Sequence, residues 1–125
     1  MSGKVWIFTG AILGALAIGV GAFGAHALPK DMAADDRATY EIGVRYHMYH
    51  ALALVLVGVL ALRFQSTWLD LSGACFAAGV IIFSGCLYGL ALGGPKALGL
   101  VVVVGGVSFI AGWLALAVAA MRIDG

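Results

Sequence analysis

Charged side chains are scarce in this sequence, which has only seven basic and six acidic residues in a chain of 125. Soluble domains carry charge on roughly a quarter of their residues. So few charges could not cover the apolar surface of a soluble fold of this size. The formal net charge is +1 and no basic block occurs, which excludes nucleic acid as the main partner.

Cysteine is also rare, being confined to Cys75 and Cys86 in one apolar segment. On a helix this spacing corresponds to about 16 Å along the axis, which is too far for a disulfide between them. We therefore predict two buried, unreactive thiols.

Apolar residues make up 63% of the chain, the mean hydropathy is +1.08, and the long apolar runs are of bilayer length. We predict an all-α membrane protein, a four-transmembrane-helix bundle that forms a single domain over residues 1–125. The predicted spans are 5–27, 40–62, 71–92 and 97–121. Four spans place both termini on one side, but the basic residues divide almost evenly between the two sides, so the positive-inside rule gives little guidance.

The first span also resembles a signal peptide and a dinucleotide-binding motif. Lys4, the apolar run and Ala25-His26-Ala27 imitate a signal peptide with its cleavage site, although the run from Val5 to Ala25 is long for one. Gly19 to Gly24 match the letters of a dinucleotide-binding fingerprint, which requires a preceding strand. A membrane span fits the segment better than either.

The second span is predicted to begin before it enters the lipid. Asp35 or Asp36 is a suitable N-cap, and nothing breaks a helix from there to Leu62. Such a helix is about 40 Å long, longer than the hydrocarbon core, so its first turns should extend into the interface.

A helical wheel divides this second helix into two faces. The face predicted to turn inward carries Tyr40, Gly43, Tyr46, His47, His50, Leu54, Gly58 and Ala61. The face predicted to meet lipid carries Glu41, Arg45, Tyr49, Leu52, Val55, Leu56 and Val59. Glu41 and Arg45, four residues apart in the favourable order, are predicted to form an interfacial ion pair.

Small and aromatic residues indicate how the helices pack. Tight helix packing is predicted at glycines in the first, third and fourth spans, namely Gly10, Gly14, Gly85, Gly89, Gly93, Gly105 and Gly106. Ser84 and Ser108 are expected to bond to carbonyls of their own helices. The tryptophans are expected to be interface anchors or packing residues, namely Trp6, Trp68 and Trp113.

Four motifs together resemble a known family. They are Gly21-Ala22-Phe23-Gly24-Ala25-His26, Tyr46-His47-x-x-His50-Ala51-Leu52-Ala53-Leu54, Phe83-Ser84-Gly85-x-Leu87-Tyr88, and Gly105-Gly106-Val107-Ser108-Phe109-x-Ala111-Gly112-Trp113. In this order they resemble the domain-of-unknown-function 423 family of small integral membrane proteins, which includes eukaryotic transmembrane protein 256. The resemblance implies a four-helix bacterial inner-membrane protein with cytoplasmic termini and no assigned activity. The family usually has serine where Cys86 stands, which argues against a thiol-dependent role there.

The order of the spans should bring several polar residues to one membrane face. These are His26, His47, His50, Tyr46 and Tyr88. Polar side chains at such depth are costly unless partnered and often mark function.

Three hypotheses follow for this polar cluster. In the first, the histidines make interhelical hydrogen bonds, and the protein is a structural or assembly factor for membrane partners. In the second, His26, His47 and His50 bind a metal or another ligand, or relay protons. In the third, His50 serves a haem, a quinone or another enzymatic reaction, but no nucleophile with its base is recognised. We predict no catalytic residues and no cofactor; the predicted partners are the lipid bilayer and either a second copy or other membrane proteins.

Overall fold

A computed structural model describes residues 3–124 and folds them into four long helices. The helices are α1 (Gly3–His26), α2 (Ala34–Arg63), α3 (Thr67–Ala91) and α4 (Leu98–Arg122). Each is long and apolar enough to cross a membrane, and the described range contains no strand. Helices suit lipid because all their backbone hydrogen bonds are made within the segment. The predicted all-α fold with four transmembrane helices is confirmed.

Neighbours in the sequence are also neighbours in the fold. α1 packs along α2, α2 along α3, and α3 along α4. α1 meets α3 only over a short stretch, and α1 and α4 do not pack closely against each other in the described part of the chain. Within residues 3–124, one outer face of α1 and one of α4 are consequently left uncovered.

The two faces of α2 largely match the helical wheel. Buried positions include Gly43, His47 and His50, whereas Leu52 and Leu56 are exposed. The burial of Tyr46 and Val55 differs from the prediction.

Tyr46, predicted to face inward, lies at the edge of the inner face with 39% of its surface exposed. Val55, predicted to face lipid, is half-buried. It packs against Gly10 of α1, where a Cβ would lie only 2.8 Å from Cγ2 of Val55. The missing side chain of Gly10 makes room for Val55, which a wheel of α2 alone cannot reveal.

The start of α2 also differs from the prediction. The helix begins at Ala34, and its N-cap Ala33 has no side-chain hydrogen bond. Asp35 and Asp36 therefore lie inside the first turn, where their charges favour the helix dipole without capping a backbone N–H. A side-chain cap is found instead at Ser66, whose hydroxyl accepts a hydrogen bond from the backbone N–H of Trp68 at the start of α3.

Glycines bring the helices close, but not all at the predicted positions. Gly10 and Gly14 of α1 face Ala51 of α2. In α3, the predicted ridge of Gly85, Gly89 and Gly93 is not the packing surface. A Cβ on Gly85 would meet nothing within 4 Å.

Two other glycines of α3 carry its packing. The Trp6 ring covers Gly73, and the Phe109 ring covers Gly79. Gly93 lies beyond the end of α3 with φ +92°, a left-handed conformation that glycine adopts without strain. A Cβ on Gly89 would meet only the flexible side chain of Leu98.

A π-helical segment interrupts α3 from Val80 to Ser84. Such segments have wider hydrogen-bonded turns than the α-helix and often occur at functional sites. The backbone of Phe83, within this segment, packs against Gly105 of α4. A Cβ added to the adjacent Gly106 would lie 3.8 Å from the Phe83 ring, which is an ordinary contact.

We predict that Gly105→Ala destabilises the protein by about 1–3 kcal/mol, because overpacking at a close contact forces the backbones apart. The new Cβ would lie 2.7 Å from Cα of Phe83. Because this is a backbone atom, no change of side-chain rotamer can relieve the clash. Gly99→Ala in the same helix is the matched control, since its Cβ would meet nothing within 4 Å. Thermal unfolding in detergent micelles measures both changes, and equal stabilities would contradict the close contact.

Candidate functional site

The two histidines of α2 are one helical turn apart and both are buried, with 5% of His47 and 4% of His50 exposed. Although they share one helix, they point to different neighbours. His50 faces α4, where it contacts Phe109 and Trp113. His47 faces Tyr88 of α3.

Both ring nitrogens of His50 have hydrogen-bond partners. Its Nδ1 lies 2.7 Å from the carbonyl oxygen of Tyr46, and its Nε2 lies 3.1 Å from Nε1 of Trp113. A carbonyl can only accept and an indole N–H can only donate. These partners assign the proton to Nδ1 and leave His50 neutral.

Aromatic rings surround the His50 imidazole. The Phe109 ring stacks on it, with ring centroids 3.6 Å apart and an interplanar angle of 9°. Phe76 of α3 lies 5.4 Å away, and its ring meets that of Trp113 edge to face at 4.8 Å. We call His50, Phe76, Phe109 and Trp113 the aromatic cage. Because its members come from α2, α3 and α4, the cage holds three helices together.

His47 belongs to a second network, between α1, α2 and α3. Its Nδ1 lies 2.8 Å from the Tyr88 hydroxyl. The Tyr88 ring packs on Tyr40 at 5.3 Å, and the Tyr40 hydroxyl donates to the carbonyl of Val20 in α1 at 2.6 Å. Nε2 of His47 is buried and has no hydrogen-bond partner within residues 3–124.

His26 does not join either network. It is exposed at the last residue of α1. Among the described residues, no three His, Cys, Asp or Glu side chains come close enough to hold a metal ion. The described residues therefore do not form the metal site hypothesised for His26, His47 and His50.

Serines add hydrogen bonds between helices. Ser84, which ends the π-helical segment, donates to the carbonyl of Gly43 in α2 at 2.8 Å. Ser72 donates to the carbonyl of Gly112 at 2.8 Å, and Ser108 donates to the carbonyl of Cys75 at 2.7 Å. The prediction that Ser84 and Ser108 bond within their own helices was wrong, because small neighbours bring other backbones within reach.

A groove opens beside the aromatic cage toward the lipid. It has a volume of about 780 Å³, and its lining is mostly apolar. Tyr46 and Tyr49 of α2 line one side, and Val107 and Ile110 of α4 line the other. His50 also reaches the groove, but its ring nitrogens are already occupied.

Comparison with known proteins places the chain in a family. The family described as "Protein of unknown function (DUF423)" matches residues 20–106. The chain belongs to this family. The DUF423 match runs from the end of α1 to the middle of α4 and includes His47, His50 and Tyr88, whereas Phe109 and Trp113 lie beyond it.

Relatives of this DUF423 chain are similar over nearly their whole length. The UPF0382 membrane protein YwdK of Bacillus subtilis is 41% identical over 95% of this chain and 98% of its own. The UPF0382 inner membrane protein YgdD of Escherichia coli is 38% identical over 98% of this chain and 94% of its own. No solved structure matches the chain. The names of these relatives describe membrane proteins and no enzymatic activity, so the chain is a membrane protein of a family of unknown function.

The remaining candidate residues of the DUF423 chain lie outside the two networks. Cys75 and Cys86 are free and half-buried, and their inertness stays a prediction. Glu41 and Arg45 are both exposed on α2, and their ion pair likewise stays a prediction.

Sequence reasoning missed the main partners of His50. Trp113 had been assigned to the interface or to packing, and Phe109 had no assigned role. Their spacing of four residues on α4 was the available signal, because it places both rings on one helix face.

We predict that His50→Ala destabilises the protein by about 2–4 kcal/mol, through lost ring contacts and an indole N–H left without its acceptor. His26→Ala is the matched control and should change stability by less than about 0.5 kcal/mol, because an exposed helix end loses little. Unfolding in detergent micelles, with and without added zinc or copper, provides the measurement. A metal that stabilises the wild type but not His50→Ala would contradict a purely structural His50.

Proposed function

We propose that this protein is a non-catalytic accessory or assembly factor of the bacterial inner membrane that acts through helix–helix contacts. One observation carries the proposal, the composition of the outer face of α1. Its exposed small residues, which we call the outer stripe, are Ala11, Ala15, Gly19, Ala22 and Ala25. A Cβ on Gly19 would meet nothing within 4 Å.

Small residues on a membrane helix let a second backbone approach closely, and such stripes are typical of helix–helix interfaces in lipid. A helix face that meets only acyl chains has no need of them. Ile18 lies beside the stripe and is 67% exposed, so it is available to pack against an approaching helix. The occupant we infer is another membrane helix, either from a second copy or from a different membrane protein.

The aromatic cage supports the same proposal. Because both nitrogens of His50 are used inside the protein, the ring offers no free lone pair to a substrate or metal. The cage instead fixes α4 to α2 and α3. We therefore assign His50 a structural role, in line with the first of the three hypotheses.

A second candidate function, proton or ligand binding at His47, is favoured by one observation. Nε2 of His47 is buried and makes no hydrogen bond of good geometry in the described residues, although the backbone of Leu13 in α1 lies close to this ring. Because only 5% of His47 is exposed, a ligand could reach this nitrogen only if α1 moved.

The helix-contact proposal predicts specific crosslinking from the outer stripe. A photo-crosslinking amino acid at Ala22 should give a protein adduct in native membranes, either a second copy or one other membrane protein. The same probe at Val104, an exposed residue of α4, is the matched control and should react mainly with lipid. Ala15→Leu should remove the Ala22 adduct, because a larger side chain keeps the partner helix away.

Equal adducts from Ala22 and Val104 would contradict the outer stripe as an interface. So would an Ala22 adduct that survives Ala15→Leu. The unfolding midpoint of the Ala15→Leu protein serves as the folding control.

We propose further that both termini lie on the cytoplasmic side. Four helices require them to share one side, and inner-membrane relatives such as that of Escherichia coli make the bacterial cell membrane the setting. Green fluorescent protein fused after residue 124 should then fluoresce, whereas alkaline phosphatase at the same place should stay inactive. A phosphatase placed in the loop between α1 and α2 should be active, and the reverse pattern would overturn this orientation.

A further inference from the structure

A pocket of about 310 Å³ lies between the end of α1 and the start of α2. Its apolar part is formed mainly by Gly21, Leu28 and Val44, and charged side chains line another part, namely Arg37, Glu41 and Arg45. Ligand sites commonly have volumes of about 300–1,000 Å³ with a few polar groups placed on an apolar wall. This pocket is separate from the aromatic cage and from the outer stripe.

The pocket lies at the level of the lipid headgroups. α2 has 30 residues, a length of about 45 Å, whereas the hydrocarbon core is about 30 Å thick. The first turns of α2 therefore stand in the interface. Arg37, Glu41 and Arg45 follow one another at four-residue intervals, so they form a single row in which Arg45 is the deepest.

The two arginines of this row differ in their surroundings. The Arg37 guanidinium donates to the carbonyl of Pro29 at 2.9 Å and to that of Gly24 at 3.5 Å. It ties the loop between α1 and α2 to the end of α1. Arg45 is exposed and lines the pocket at its deeper end, and its planar guanidinium suits bidentate bonds to a phosphate.

We propose that this pocket binds a phospholipid headgroup, with the phosphate on Arg45 and the ammonium group of an ethanolamine headgroup on Glu41, so that the bound lipid replaces the ion pair predicted between these two side chains. The order of charges along α2 fits this orientation. In a phospholipid the phosphate lies deeper than the amino group, and Arg45 lies one helical turn deeper than Glu41. The apolar wall of Leu28 and Val44 then faces the glycerol and the first carbons of the acyl chains.

Glu41 gives the pocket its selectivity. A phosphoglycerol headgroup is anionic and carries no cationic group. The Glu41 carboxylate would therefore repel it, with no positive charge on the ligand to offset the repulsion. A choline headgroup carries a cation but no N–H to donate. Ethanolamine supplies both a positive charge and hydrogen-bond donors to the carboxylate.

The experiment measures lipid retention on the full-length protein in detergent micelles by native mass spectrometry, titrated with phosphatidylethanolamine, phosphatidylglycerol and phosphatidylcholine of equal chain length. The wild type should retain phosphatidylethanolamine at least about tenfold better than the other two, the lower end of the effect expected for one hydrogen bond to a charged group. Arg45→Gln should lower retention of all three lipids. Glu41→Gln should keep retention but abolish the preference for ethanolamine.

Arg63→Gln is the matched control, because Arg63 ends α2 at the opposite membrane face and should leave retention unchanged. Equal losses for Arg45→Gln and Arg63→Gln would overturn the site. A wild type that prefers phosphatidylglycerol would overturn the role of Glu41. Displacement of the lipid by millimolar inorganic phosphate would show a free-anion site rather than a lipid site and would also overturn the proposal.

Discussion

The hydrogen bond from the Trp113 indole to Nε2 of His50 is the contact on which the centre of this molecule depends. Lipid offers no hydrogen bonds to an unpaired polar group, so a buried histidine must find its partners inside the protein. His50 finds one in its own helix, at the carbonyl of Tyr46, and one in α4. The Phe109 ring, stacked at 3.6 Å, then completes a contact that joins helices two positions apart in the sequence. Together with the contact between the Tyr46 and Phe109 rings at 6.3 Å, this contact ties α4 to α2 as well as to α3.

The glycines and the serine hydrogen bonds depend on each other. Ser84 donates to the carbonyl of Gly43, and Ser72 donates to that of Gly112. At both glycines a Cβ would come within 3 Å of an aromatic ring, that of Tyr88 at Gly43 and that of Phe76 at Gly112. Each of these glycines therefore has two effects, since it lets an aromatic ring come close to the helix and exposes its own carbonyl to a short serine side chain. In lipid, where close packing and hydrogen bonds replace the hydrophobic effect between helices, this combination stabilises the α2–α3 and α3–α4 contacts.

Hydropathy was enough to predict four helices, and the wheel of α2 was enough to predict that His47 and His50 are buried. Neither could tell which helix each histidine faces. The two side chains lie about 60° apart around the axis, and that angle is enough to send His47 to Tyr88 and His50 to Trp113. The errors have a common cause as well. The Gly85 ridge, the serine bonds and the position of Val55 are all decided by what stands opposite, which a single helix does not contain. The π-helical segment of α3 gave no sequence signal.

The two faces of α1 bear on the proposal that its outer stripe contacts another helix. On the face toward α2, Gly10, Gly14 and Gly21 bring the two backbones together, and the Tyr40 ring covers Gly24. The exposed surface of α1 carries small residues at Ala11, Ala15 and Gly19, among bulky exposed ones such as Phe8 and Leu16. A helix face that meets only lipid is served by bulky apolar side chains, since these make more contact with acyl chains than alanine or glycine does. Small residues give up that contact area, and the loss is recovered only when another helix backbone takes the place of lipid. This loss of contact area supports the proposal that the outer stripe of α1, like the face toward α2, packs against a helix.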